Sequence, residues 1–116
     1  SDQEINDYKV VIEKFILENK PYLEPKLAIS QLAELIGISP RIVSQVINIS
    51  YKTNFSDFIN VFRLEEAKRL LIKDKERTVL EILYEVGFKF LVQRHIFRIT
   101  MVNTIAIRHG ISTRKY

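Results

Sequence analysis

The sequence predicts an all-α fold in which a short helix, a glycine turn and a second helix occur twice, on either side of one long helix. Three observations carry this. Only three Gly and three Pro punctuate the 116 residues, so long segments run uninterrupted. Apolar residues recur at helical spacing along most of those segments. Gly37 and Gly87 each follow a short apolar-periodic stretch, and a residue tolerant of positive φ is what closes a helix into a tight turn.

Each element has its own local signals. Residues 5–19 place Ile5, Tyr8, Val11, Ile12, Phe15 and Ile16 on one stripe, the pattern of an amphipathic helix. Asn19-Lys20-Pro21 ends it, and Pro21 to Lys26 reads as a linker because its two prolines fix φ and cannot continue a helix. An apolar-periodic segment from Ile29 to Ile36 precedes Gly37. Ser39-Pro40 then opens another, to about Ile49: Ser39 accepts hydrogen bonds from orphan amides as an N-cap, and Pro40 suits the first helical position. Ser56 is the N-cap candidate of the long helix, which runs to about Leu71 with Phe58, Ile59, Phe62, Ala67, Leu70 and Leu71 as its apolar positions. At 1.5 Å per residue it spans roughly 24 Å. Lys73 to Arg77 forms a charged turn, and Thr78-Val79-Leu80-Glu81 has the Thr-x-x-Glu form of a capping box. The short helix it opens should end at Glu85 or Val86, before Gly87. The expected organisation is residues 1–55 as an N-terminal helix with the first helix-turn-helix, 56–73 as a linking helix, and 74–116 as a second, atypical helix-turn-helix with a tail.

Composition removes several classes of function. Apolar residues are 47% and charged residues 28%, a globular mix, and no apolar run approaches the roughly 18 residues of a membrane span. The start, Ser1-Asp2-Gln3-Glu4, lacks the pattern of a signal sequence, so the expected compartment is the cytoplasm, with no membrane contact from this segment. With no Cys, disulfides, thiolate zinc sites and cysteine nucleophiles are excluded, and His95 and His109 alone make a poor metal cluster. No Gly-rich phosphate loop occurs, Ser44 has no histidine nearby in sequence, and Glu65-Glu66 point about 100° apart on a helix, reading as a solvated surface. No catalysis, cofactor or metal is expected.

Charge is uneven along the chain. The net charge is +4, but residues 1–39 carry 4 basic and 7 acidic groups, whereas residues 40–116 carry 14 basic and 7 acidic. A basic surface of that extent attracts polyanions through counterion release, and it also aids solubility. A helix-turn-helix needs a small residue where its helices meet, a turn residue tolerant of positive φ, and apolar anchors on both helices. From Ile29 to Asn48, Ala33 is the small contact, Gly37 the turn, and Leu32, Ile36, Ile38, Val43 and Val46 the anchors. Pro40, Arg41, Ser44, Gln45 and Asn48 are left facing outward on the second helix. Arg and Gln make paired hydrogen bonds to base edges in the major groove, where Asn and Ser also serve. The competing reading is an ordinary helical hairpin with a solvated polar face.

The residues after the hairpin are more specific. Phe58-Ile59-Asn60, Arg63, Ala67, Leu70-Leu71 and the Val86-Gly87-Phe88 turn, taken with the Gly37 motif, resemble the DNA-binding domain of the AraC/XylS family of bacterial transcription regulators. The resemblance covers residues 8–88. It implies two helix-turn-helix units, joined by a long helix, entering successive major grooves of double-stranded DNA roughly 34 Å apart, and a sensor module that would precede residue 1.

After Phe88 the pattern breaks. The family continues with a serine, an aromatic-rich recognition helix and a Gly-x-(Ser/Thr)-Pro close, whereas this chain continues Lys89-Phe90-Leu91-Val92-Gln93-Arg94-His95-Ile96-Phe97-Arg98. Residues 89–116 hold six basic groups and no acidic ones. Two explanations stand side by side: a reading-frame change at about Lys89, and a divergent working tail. Shifted by one nucleotide, permitted codons for Lys89 to Phe97 can read Asn-Ser-Ser-Phe-Asn-Val-Ile-Phe, close to the family's spacing. Leu83 also stands where the resemblance calls for a small alanine. The second reading unit is therefore expected to be impaired, with Lys89, Arg94 and Arg98 left to touch phosphates. The tail's apolar residues, among them Ile96, Phe97, Ile99, Ile105 and Ile107, lead to the expectation of either a disordered end beyond about Asn103 or a homo-oligomer through residues 89–116. The alternative function is a helical protein-interaction or self-association module with little specific DNA binding.

Overall fold

A computed structural model describes residues 1–89, and over that span the chain is all-helical. The α-helices are α1 (Asp2–Asn19), α2 (Ile29–Ile36), α3 (Pro40–Tyr51), α4 (Phe55–Lys73) and α5 (Val79–Glu85), with a short 3₁₀ helix at Pro21–Leu23. No strand occurs among the described residues. The chain forms two compact units, Ser1–Val61 and another beginning at Phe62, so α4 starts in one and ends in the other.

The first unit is built on α1, which packs against both α2 and α3. Ser1 caps α1 by accepting from the Glu4 amide at 3.2 Å, so the helix begins three residues before the apolar stripe does. Of that stripe, Ile12 and Ile16 are fully buried, while Val11 is exposed at the edge of the helix. Lys20 ends α1 in the left-handed conformation at φ 49°, a position usually taken by Gly. The segment expected to be a mere linker contributes to the core, because the 3₁₀ turn after Lys20 buries Tyr22. Leu32, Ala33, Val43, Val46, Ile47, Phe58 and Ile59 complete that core. Ile36 and Ile38, expected as anchors, are half-buried, and Ile47 takes a place the sequence reading did not give it.

Tyr51 ties the unit together. Its hydroxyl donates to the Glu13 carboxylate of α1, its ring lies 4.7 Å from that of Phe58, and the Lys9 ammonium sits 5.4 Å above its centroid. Burial first, and the Glu13 carboxylate second, push the Tyr51 hydroxyl well above the usual tyrosine range. The N-cap of α4 is Asn54 rather than Ser56: the Asn54 side-chain oxygen accepts from the Asp57 amide at 2.8 Å, and Ser56 lies inside the helix.

In the second unit the described core is Ala67, Leu71, Ile82, Leu83, Val86 and Phe88. Glu65 and Glu66 part company here. Glu65 is exposed and pairs with Lys68 at 3.1 Å, whereas Glu66 is buried and held by Arg69 through two contacts of 2.6 and 3.0 Å. The expectation of a solvated pair thus fails for Glu66, whose charge is matched by the planar guanidinium one helical turn on. The charged turn after α4 is closed by Asp74 accepting from the Glu76 amide at 3.2 Å, and Arg77 forms an ion pair with Glu85. Thr78 caps α5 through a 3.1 Å bond from the Glu81 amide, and α5 ends at Glu85. The expectations for Arg94, Arg98, both histidines and the apolar tail fall on residues 90–116, outside the described residues.

Candidate nucleic-acid interface

The candidate interface is assembled from α2, the Gly37 turn and α3. Helix α2 starts without a side-chain cap of its own, since Ala28 stands at that position, but the Gln31 side chain reaches back to accept from the Ala28 amide at 2.8 Å. Gly37 ends α2 at φ 81°, its amide bonded to the Ala33 carbonyl at 2.8 Å and that of Ile38 to the same carbonyl at 3.1 Å. That closure gives the Ala33 carbonyl two donors at the helix end, and it needs the left-handed conformation glycine adopts without strain. Ser39 then accepts from the Ile42 amide at 3.2 Å and Pro40 occupies the first turn, so α3 starts at once. The chain turns through 104° between α2 and α3, within the range of about 90–120° of a helix-turn-helix.

The two faces of α3 differ in kind. Val43, Val46 and Ile47 are at most 1% exposed, and they fix the helix to the core. Arg41, Ser44, Gln45 and Asn48 are exposed away from that face, and Pro40 is exposed at the start of the helix. Their spacing sets Arg41 and Gln45 one turn apart in one row, and Ser44 and Asn48 one turn apart in the next. Arg41 is the sole charged residue of α3, which therefore carries no carboxylate to repel a polyanion.

Two further residues at this face escaped the sequence reading. Lys52 follows α3 as its C-cap at φ 54° and is exposed, and Ile49 is 51% exposed despite its apolar side chain. A lysine directly after an apolar-periodic segment was the signal for the first. Nothing in the periodicity marked the second, which stands among residues of mixed polarity.

The second turn shares the outer bond of the first, although the Gly87 amide bonds to the Tyr84 carbonyl at 3.3 Å and not four residues back as Gly37 does. Gly87 has φ 106°, and the amide of Phe88 bonds to the Leu83 carbonyl at 3.0 Å as that of Ile38 does to Ala33. Residues 32–92, more than half of the chain, match the model of an AraC-type "Helix-turn-helix domain" family. The chain belongs to the AraC/XylS family. Comparison with curated proteins and with solved structures finds no match. The AraC/XylS span opens inside α2, takes in both glycine turns with α3, α4 and α5, and identifies a DNA-binding helix-turn-helix domain of the kind found in transcription regulators. That family binds DNA and is not a family of enzymes.

Within this AraC/XylS chain, Leu83 is fully buried in the place where Ala33 is buried in the first unit, so the larger side chain is absorbed by the core. Lys89 is exposed just past Phe88. Among the described residues no cluster of His, Asp and Glu could hold a metal ion, and no single helix is long and apolar enough to cross a membrane.

Proposed function

We propose that this AraC/XylS domain recognises a specific DNA sequence by laying α3 in the major groove. A helix about 10–12 Å across fits a groove about 12 Å wide. Arg41 then faces guanine O6 and N7, Gln45 and Asn48 face adenine, Ser44 serves either, and Pro40 lies at the mouth of the groove. The observation that supports this reading is the division of α3 into a core-fixed face and an exposed polar face free of carboxylates. Lys52, exposed at the far end, is placed to meet a phosphate, which adds affinity without adding specificity.

The second reading unit contributes less in this proposal. Its recognition helix would follow Phe88, where the sequence leaves the family pattern, and Lys89, Arg94 and Arg98 contact phosphates only. The functional parts are residues 1–55, 56–73 and 74–116, with base reading concentrated in the first.

Selection of binding sites from a randomised duplex library, followed by titration of the selected site at two salt concentrations, tests this. The expected result is one compact consensus, bound more tightly than random DNA, with an affinity that falls steeply as salt rises. A consensus of two half-sites one helical turn apart overturns the impairment of the second unit. Enrichment of no sequence at all overturns base reading by α3.

A further inference from the structure

We infer that Ile49 reads the 5-methyl group of a thymine, extending the base-reading row of α3 by one turn. The inference rests on the major-groove reading proposed above and deepens it. Ile49 stands four residues after Gln45 and eight after Arg41, so the three lie along one edge of the helix, a turn apart. Its neighbours Val46 and Ile47 are each 1% exposed and Val43 is wholly buried, so the core is supplied without it. Ile42, half-buried, lies three residues before Gln45 and flanks the same edge, giving Gln45 an apolar residue on either side.

The chemistry of the groove then chooses the occupant. Base edges there present donors, acceptors and one apolar group, the methyl of thymine. An isoleucine continuous with a row of hydrogen-bonding side chains is matched to that group alone. The four residues from Gln45 to Ile49 advance about 6 Å, a little under two base-pair steps of about 3.4 Å, so the thymine should lie about two base pairs from the base that Gln45 reads.

The test uses the full chain and its selected site. Replacing the thymine by uracil deletes only the methyl group and leaves base pairing intact, and affinity should fall about four-fold, the effect of one buried methyl-sized group. The Ile49→Ala chain should bind the thymine and uracil sites equally. 5-Methylcytosine in the uracil position should recover part of the loss for the unaltered chain, since it presents a methyl group at the same place. Equal binding of thymine and uracil sites by the unaltered chain overturns the inference and leaves base reading by α3 standing. A consensus without thymine at that distance does the same. Failure to select any sequence defeats the underlying reading as well. If Ile49→Ala keeps the preference for thymine but changes the size of the free protein in solution, a second copy covers Ile49, and the inference is wrong. The comparison on the unaltered chain needs no variant, so it stands even if Ile49→Ala folds poorly.

Discussion

Gly37 offers a perturbation whose magnitude can be worked from the geometry. A methyl group added at Gly37 would meet no atom within 4 Å, so Gly37→Ala tests the backbone alone, with no steric clash to confuse it. Holding an L-residue in the left-handed region costs about 1–2 kcal/mol. The lower entropy of alanine in the unfolded chain offsets about 0.4–1 kcal/mol of that. The net loss should be about 1 kcal/mol, which lowers the melting temperature of a unit this small by roughly 4–8 °C. Lys52, at φ 54°, provides the same test with the opposite sign: Lys52→Gly relieves the strain and should raise stability by a similar amount. Urea and thermal unfolding of the full chain, followed by circular dichroism, read both. An unchanged Gly37→Ala protein would mean that the turn is not held left-handed. A loss above about 3 kcal/mol would mean that the space beside Gly37 is filled, and either result refutes the reasoning.

Buried and capping residues give three other expected outcomes. Val43→Asp should unfold the first unit, because Val43 is wholly buried and an unpaired carboxylate there costs several kcal/mol; loss of the cooperative helical melt checks it. Tyr51 holds its proton more tightly when folded than when unfolded, so its contribution to stability is complete below the ordinary tyrosine value of about 10 and is lost as pH rises above it. The alkaline fall in stability should therefore be shallower in Tyr51→Phe, which also loses the bond to Glu13 at a cost of about 1 kcal/mol at neutral pH. Thr78→Ala removes the cap of α5 and should cost about 1 kcal/mol in urea unfolding, with Thr78→Ser restoring most of it.

Local chemistry made the first helix-turn-helix legible. Ser39, Gly37 and Thr78 each act through a neighbour three or four residues away, Pro40 acts through its own fixed φ at the first helical position, and each does in the structure what its residue type dictates. The exposed row from Arg41 to Asn48 was visible for the same reason, since a helical period assigns faces without knowledge of what packs on them. Long-range contacts left no comparable trace. The bond between Tyr51 and Glu13 joins residues 38 positions apart, and the burial of Tyr22 depends on a turn that its flanking prolines disguised as a linker. Asn54 caps α4 in place of the expected Ser56, and because Asn and Ser are caps of similar strength, residue type does not separate the two positions. Pro21 marked the end of α1, but the left-handed conformation of Lys20 and Lys52 follows no residue preference, and α3 runs on to Tyr51, past the expected end at about Ile49.

The most direct measurement of the central claim compares Gln45→Ala with the unaltered chain on a selected site and on random duplex DNA. Gln45 is exposed, so its removal leaves the fold intact, and a good base contact is worth about 1–3 kcal/mol. Base reading by α3 predicts roughly a 5- to 150-fold loss on the selected site and little change on random DNA. An equal loss on both would contradict it, placing Gln45 on the phosphate backbone and the source of specificity elsewhere in the chain.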